Sequence, residues 1–149
     1  MSLRDRITQE LVQATKGGDA LKRDALRMVQ AALKNQEIEL RRPVTDPEIL
    51  GVLNKLAKQR LESIEQFRLG GRNDLVDKEM RELEIVKSFL PTPLSAAELD
   101  ALIDKVIAET GAQGPQDLGK VMKPVLSAAA GRADGGQVSA RVKERLARH

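Results

Sequence analysis

Between Asp46 and Pro91 the apolar residues recur at three- and four-residue steps, in two runs separated by Gly70-Gly71. Ile49, Val52, Leu53, Leu56, Ile64 and Phe67 share one side of a first helix, and Val76, Met80, Leu83, Val86 and Leu90 make the stripe of a second. Asp46 can cap the first run, and Pro47 suits its first turn, where an N–H would have no helical partner in any case. Gly70-Gly71 supplies the backbone freedom to stop that helix, Asn73 or Asp74 can cap the next, and Pro91 and Pro93 end it. Two stripes joined by a short polar turn predict an antiparallel helical hairpin with its apolar sides turned inward.

The same periodicity continues on both sides of the hairpin. Leu3, Ile7, Leu11 and Ala14 lie on one helical side behind a weak Ser2/Asp5 cap, and Lys16-Gly17-Gly18 breaks that helix. Asp19 can cap a longer run carrying Leu21, Ala25, Met28, Val29, Ala32 and Leu33, which reaches about Arg41 before Pro43 closes it. Downstream, Ser95-Ala-Ala-Glu98 reads as a capping box, with Leu94 and Leu99 placed as a hydrophobic staple. Leu99, Leu102, Ile103, Val106 and Ile107 form the stripe that follows, and Gly111 is placed to end it. Gly114-Pro115 opens a helix carrying Leu118, Val121, Met122, Val125 and Leu126, with Pro124 as a point of bending and Gly131 as terminator. A last helix starts near Gly136 and buries Val138, Val142 and Leu146. The prediction is an all-α protein: an N-terminal bundle of about four helices over residues 1–92, then a smaller three-helix part over 93–149. The smaller part is short for a core of its own, so it is expected to lean on the first bundle or on a partner.

Composition adds little to this picture until charge is followed along the chain. At 149 residues and 41% hydrophobic content the chain can bury a core. The absence of cysteine excludes disulfides, thiolate metal sites and a cysteine nucleophile, and fits a reducing cytoplasm. The start, Met1-Ser-Leu-Arg-Asp-Arg, lacks the apolar core of a signal peptide, and no stretch is apolar enough to span a membrane. Phe67 and Phe89 are the only aromatic residues, which argues against modules that stack bases on exposed rings. The formal charge of +3 is modest, but from Gly119 to His149 seven basic residues stand against two acidic ones, a local +5 on a body that sums to −2. A basic end of this kind suits a phosphate backbone, whose condensed cations it would displace; a solvated helix surface is the plainer alternative.

Three apparent chemical motifs dissolve on inspection. Gly114-Pro-Gln-Asp-Leu-Gly119-Lys120 fits half of a phosphate-binding loop, but Val121 stands where Ser or Thr should hold magnesium. Pro115 also removes an amide, and Asp117 would put a negative charge inside the loop. Glu62/Glu65 and Glu79/Glu82 could meet across the hairpin, yet they lack histidine companions, and Glu62 and Glu65 are interleaved with Arg60 and Arg68, as ordinary ion pairs on a wet surface are. His149 at the chain end makes a poor general base, and Ser63, Ser88, Ser95, Ser127 and Ser139 read as surface or capping groups. No catalytic residue, metal site or cofactor is expected.

Several strings then match one known pattern in order and spacing. Lys58-Gln-Arg-Leu-Glu-Ser-Ile-Glu-Gln-Phe67, Gly71-Arg-Asn-Asp-Leu75, Lys78-Glu79, Glu82-Leu83 and Phe89-Leu-Pro91 resemble the signature of the YqeY family. Asp117-Leu-Gly-Lys-Val-Met122 and Gly131-Arg-Ala-Asp-Gly135 resemble its second motif, with Leu118 where Met is more usual. The resemblance implies a helical bundle followed by three C-terminal helices, the module that GatB/YqeY proteins share with the tail of the B subunit of aspartyl/glutamyl-tRNA amidotransferase. It also attaches a label of carbon-nitrogen ligase with glutamine as amido donor. That reaction needs a glutaminase nucleophile, an ATP and magnesium site and a route for ammonia, and this sequence displays none of them, so a partner catalytic subunit would have to supply the chemistry.

The function expected is therefore an accessory module that binds tRNA or another structured RNA through Lys120, Lys123, Arg132, Arg141, Lys143 and Arg145, with Gly119 and Gly131 allowing close approach. Lys58, Arg60, Arg68 and Arg72 make a second basic group near the hairpin turn. An amidotransferase-like protein partner, or a protein-interaction scaffold, are the alternatives.

Overall fold

Hydrogen-bonded turns follow the apolar periodicity closely. In the computed structural model, which describes residues 2–148, the described residues form seven α-helices and one 3-10 turn and no strand. The protein is all-α. Its contacts divide it into two compact units, one ending at Leu90 and the other starting at Pro91.

The first unit holds α1 (Leu3–Lys16), α2 (Ala20–Leu40), α3 (Asp46–Leu69) and α4 (Asn73–Lys87). Ile7, Leu26, Val29, Leu33, Ile49, Leu53, Ile64, Val86 and Phe89 are buried together as its core. The Ser2 hydroxyl accepts from the Asp5 amide and the Asp19 carboxylate from the Lys22 amide, both at 3.1 Å, so two of the expected caps are in place. The cap of α3 lies one residue earlier than the sequence suggested. Thr45, and not Asp46, is the N-cap, forming a capping box with Glu48, and Asp46 becomes the first helical residue. Thr45 wins because Glu48 stands three residues on and can reach back to its amide at 3.0 Å. At α4 neither Asn73 nor Asp74 caps the helix: Arg72 occupies the N-cap without a side-chain bond, and its guanidinium holds Asp74 instead.

Arg42 clamps Glu48 with two hydrogen bonds of 2.7 and 3.0 Å. This contact, followed by the bonds from Thr45, lowers the Glu48 pKa from an ordinary 4.5 to about 2. A carboxylate that binds protons less readily in the folded state contributes stability above its unfolded pKa and loses it as pH falls toward the folded value. Stability is therefore expected to drop between about pH 5 and pH 2. Glu48→Gln should flatten that part of the curve in urea titrations at several pH values.

The hairpin stripes differ from expectation in an informative way. Met80 is 48% exposed, although the spacing placed it inside. The inward row of α4 runs Val76, Glu79, Leu83 and Val86, one position away from Met80, and the row of α3 facing it includes Ala57, Arg60 and Ile64. A charged pair thus occupies two positions on the buried sides of the hairpin.

The second unit holds α5 (Ala96–Thr110), a 3-10 turn (Pro115–Asp117), α6 (Leu118–Ala129) and α7 (Gly135–Ala147). Leu99, Ile103, Val106, Ile107, Val121, Val125, Val138, Val142 and Leu146 are buried as its own core. The Ser95/Glu98 capping box forms, and Gly111 ends α5 in the left-handed conformation at φ 70°. Ala130, and not Gly131, is the cap that ends α6; both residues adopt positive φ, 48° and 80°. The last helix begins at Gly135 behind Asp134, whose carboxylate accepts the Gln137 amide, one residue earlier than Gly136. Leu126 is exposed, off the row set by Val121, Val125 and Ala129.

Candidate nucleic-acid interface

The basic residues of the second unit separate into two kinds. Arg141 forks onto Asp100 of α5, with one bond of 3.0 Å from Nε, and Arg145 forks onto Asp104 with one of 2.9 Å. Each fork is completed by a bond from the second guanidinium nitrogen, and Arg145 also lies 3.8 Å from Asp100. Asp100 and Asp104 are one turn apart on α5, as Arg141 and Arg145 are on α7, so the two helices are laced by a ladder of bidentate ion pairs. Asp104 holds the Arg145 pKa above its ordinary value, chiefly through these hydrogen bonds.

Arg132 is likewise occupied. Its Nε donates to the Thr92 carbonyl at 2.8 Å, its backbone carbonyl accepts the Leu94 amide at 2.8 Å, and its guanidinium stands 3.8 Å from Glu98. It therefore ties residues 92–94 to the turn between α6 and α7. Glu98 is held below its ordinary pKa, first by the Ser95 amide, then by the Ser95 hydroxyl, and also by Arg132. Arg148 pairs with Glu144 at 2.9 Å.

The lysines are different. Lys123 and Lys143 are exposed and make no ion pair among the described residues. Lys120 is 69% exposed and stands 3.6 Å from Asp117, a contact that water screens heavily. Gly119, beside Lys120 and one turn before Lys123, is also exposed, and a Cβ added to it would meet no atom within 4 Å. The outer face of α6 thus presents two exposed cations next to a helix position that bears no side chain. Gly131 contributes a left-handed backbone position to the turn after α6.

The second basic group does not stay together. Arg60 lies inside the first unit, 16% exposed, between Glu79 at 3.4 Å and Glu82 at 3.2 Å, which are 15% and 13% exposed. Its guanidinium also contacts the Met28 sulfur of α2. Neither approach of Arg60 Nε is a hydrogen bond, and Glu79 Oε2 has no hydrogen-bond partner, so charge alone holds them. Arg68 pairs with Glu65 at 3.6 Å, and Arg72 with Asp74 at 3.1 Å. Asp74 keeps the Arg72 pKa raised. Lys58 is exposed and unpaired among the described residues. The sequence could not separate these four, because the partners that withdraw Arg60 lie on another helix.

The motifs set aside on sequence grounds have structural roles. Residues 115–117 form the 3-10 turn, and Asp117 turns back to accept the Gln113 amide at 2.9 Å, which is the main cause of its lowered pKa. Among the described residues no group of three His, Cys, Asp or Glu side chains could hold a metal ion, and His149 lies outside the described residues. Phe89 is buried, with the Arg6 guanidinium 4.6 Å from its ring centroid, so it offers no face to a base. Among the described residues no helix is long and apolar enough to cross a membrane.

Comparison with known proteins agrees with these motifs. A family model described as Yqey-like protein matches residues 4–146. The chain belongs to the YqeY family. A relative from the fungus Pyrenophora tritici-repentis is 29% identical over 143 residues, covering 93% of this chain and 78% of its own length. One from Eremothecium gossypii is 35% identical over 69% of this chain, and one from Lachancea thermotolerans is 34% identical over 73%. All three bear the name altered inheritance of mitochondria protein 41, mitochondrial. The chain spans 58% and 60% of the length of the Eremothecium and Lachancea proteins.

Proposed function

We propose that this YqeY-family protein is an accessory module that binds the phosphate backbone of a structured RNA, tRNA foremost, through the outer face of α6 and the adjoining surface of α7. One observation carries the reading: Arg132, Arg141 and Arg145 are held by carboxylate or carbonyl partners, whereas Lys123 and Lys143 are exposed without an ion pair among the described residues and Lys120 makes only a solvent-screened contact with Asp117. Cations already engaged inside a fold must break those contacts before they can reach a phosphate, while free lysines gain affinity directly by releasing condensed counterions. Gly119 adds a place where a sugar-phosphate strand can approach the helix. With no ring available for stacking, recognition would rest on backbone charge and on shape. Arg141 and Arg145, and also Arg132, act in this reading as struts that hold the surface. A reducing compartment such as the cytoplasm is part of the proposal, in keeping with a chain that has no cysteine.

Titration of the full-length protein with deacylated tRNA across a salt series tests this. Binding should weaken linearly in log salt, and Lys120→Ala/Lys123→Ala should lower the slope by about 2 and the low-salt affinity by about tenfold. Absence of tRNA binding even at low salt would overturn the RNA reading. A protein partner, such as an amidotransferase-like catalytic body, would then take precedence.

A further inference from the structure

We propose that the first unit carries a second phosphate-backbone contact, on the solvent face of α3 at Gly51, Lys55 and Lys58. This deepens the RNA reading above and rests on it. Gly51 is the sixth residue of a 24-residue helix, past its first turn. Its φ lies outside the left-handed region, and a Cβ placed on it would meet nothing within 4 Å. A glycine inside a helix is unfavourable relative to alanine, because more backbone freedom is lost on folding. Neither a turn nor a close internal contact compensates for that here. The space left by the missing side chain opens outward, so the advantage of having no side chain lies with something that approaches from solvent.

Lys55 and Lys58 follow at four and seven residues from Gly51, which stacks all three along one strip of the helix over about 10 Å of rise. Both lysines are exposed, and neither makes an ion pair among the described residues. The nearby carboxylates do not neutralise them: Glu48 is clamped by Arg42, and Glu62, one turn beyond Lys58, is exposed and makes no ion pair with it. The α6 face has the same construction. There, too, a glycine with open space stands four residues before a lysine, at Gly119 and Lys123, and two lysines lie three residues apart, at Lys120 and Lys123. A helix of a protein partner would seek apolar residues around the glycine, but beside it this strip offers Lys55, Lys58 and the exposed Gln59, and it turns acidic only at Glu62, one turn past Lys58. An anionic strand, thin enough to lie against bare helix backbone, is the occupant that matches its charge.

The test compares variants of the full-length protein for binding to deacylated tRNA by fluorescence anisotropy in a salt series. Lys55→Ala/Lys58→Ala should lower the salt slope by about 2 and weaken binding at least about fivefold. Gly51→Gln should weaken binding by about fivefold with no change in slope, because it adds bulk without removing charge. Gly51→Ala should raise the thermal midpoint by a few degrees, as expected where the fold has no use for the glycine. If Lys120→Ala/Lys123→Ala weakens binding while the Lys55/Lys58 and Gly51→Gln variants bind like wild type, the α3 contact is overturned and the RNA reading stands. If the wild-type protein does not bind tRNA at any salt concentration, the RNA reading fails and the α3 contact fails with it.

Discussion

Ile103→Ala is expected to unfold α5, α6 and α7 while leaving the helices of the first unit in place. Ile103 is fully buried in a core built from about ten side chains, within a unit of fewer than 60 residues. Truncating a buried isoleucine to alanine costs about 2–5 kcal/mol, from lost burial and from the cavity left behind. A core of this size supplies only about 3–5 kcal/mol in total. The first unit has its own core around Leu26, Val29, Leu53 and Val86, none of which Ile103 joins. Circular dichroism should show the helical signal of the second unit lost at zero denaturant, with one remaining urea transition for the first. A helical signal at zero denaturant equal to that of the wild type would mean that the second unit is much more robust than its core suggests.

Arg60→Ala should be the most damaging change in the first unit. It would leave Glu79 and Glu82 largely out of water, close to each other, with the guanidinium between them gone. Removing one partner of such a cluster costs about 3–5 kcal/mol, because the remaining charges are neither solvated nor compensated. The cluster as a whole need not stabilise the fold. Replacing it with apolar residues of similar volume, Arg60→Met/Glu79→Leu/Glu82→Leu, should restore most of the loss, since no charge then needs desolvation. Urea midpoints of the single and triple variants measure both effects. A triple variant as unstable as Arg60→Ala would show that the cluster holds the hairpin through its geometry and not only through charge balance.

The helices were legible in the sequence where their signals are local. Asp19, Ser95 with Glu98, and Gly111 each act on a backbone group within four residues, and each performs the expected role. The expected caps of α3 and α4 are displaced by one or two residues: at α3 Thr45 wins over Asp46 because Glu48 is placed to reach back to it, and at α4 Arg72 takes the position and its guanidinium holds Asp74. Met80 was placed inside because an apolar residue at helical spacing looks like core. Glu79 took that direction because Arg60, 19 positions earlier, was there to receive it. Hydrophobicity along one helix cannot report a charge on the helix opposite.

The surface charge shows the same division more sharply. Composition made Arg132, Arg141 and Arg145 look equivalent to Lys120, Lys123 and Lys143. A clue was present in the matched spacing of Asp100 with Asp104 and of Arg141 with Arg145, but it becomes a pairing only once α5 and α7 lie side by side, bringing together partners 41 positions apart. In the first unit, too, Arg60 is spent on Glu79 and Glu82 while Lys55 and Lys58 stay exposed.

By itself, the sequence determined that this chain is helical, where most of its helices begin and end, most of the residues each helix buries, and which family it resembles. All of these follow from periodicity, caps and motifs spanning a few turns. That residues 91–149 bury a core of their own was decided by the tertiary structure. The tertiary structure alone decided which charges are spent and which are free, because an ion pair between helices depends on distances that no stretch of local sequence contains.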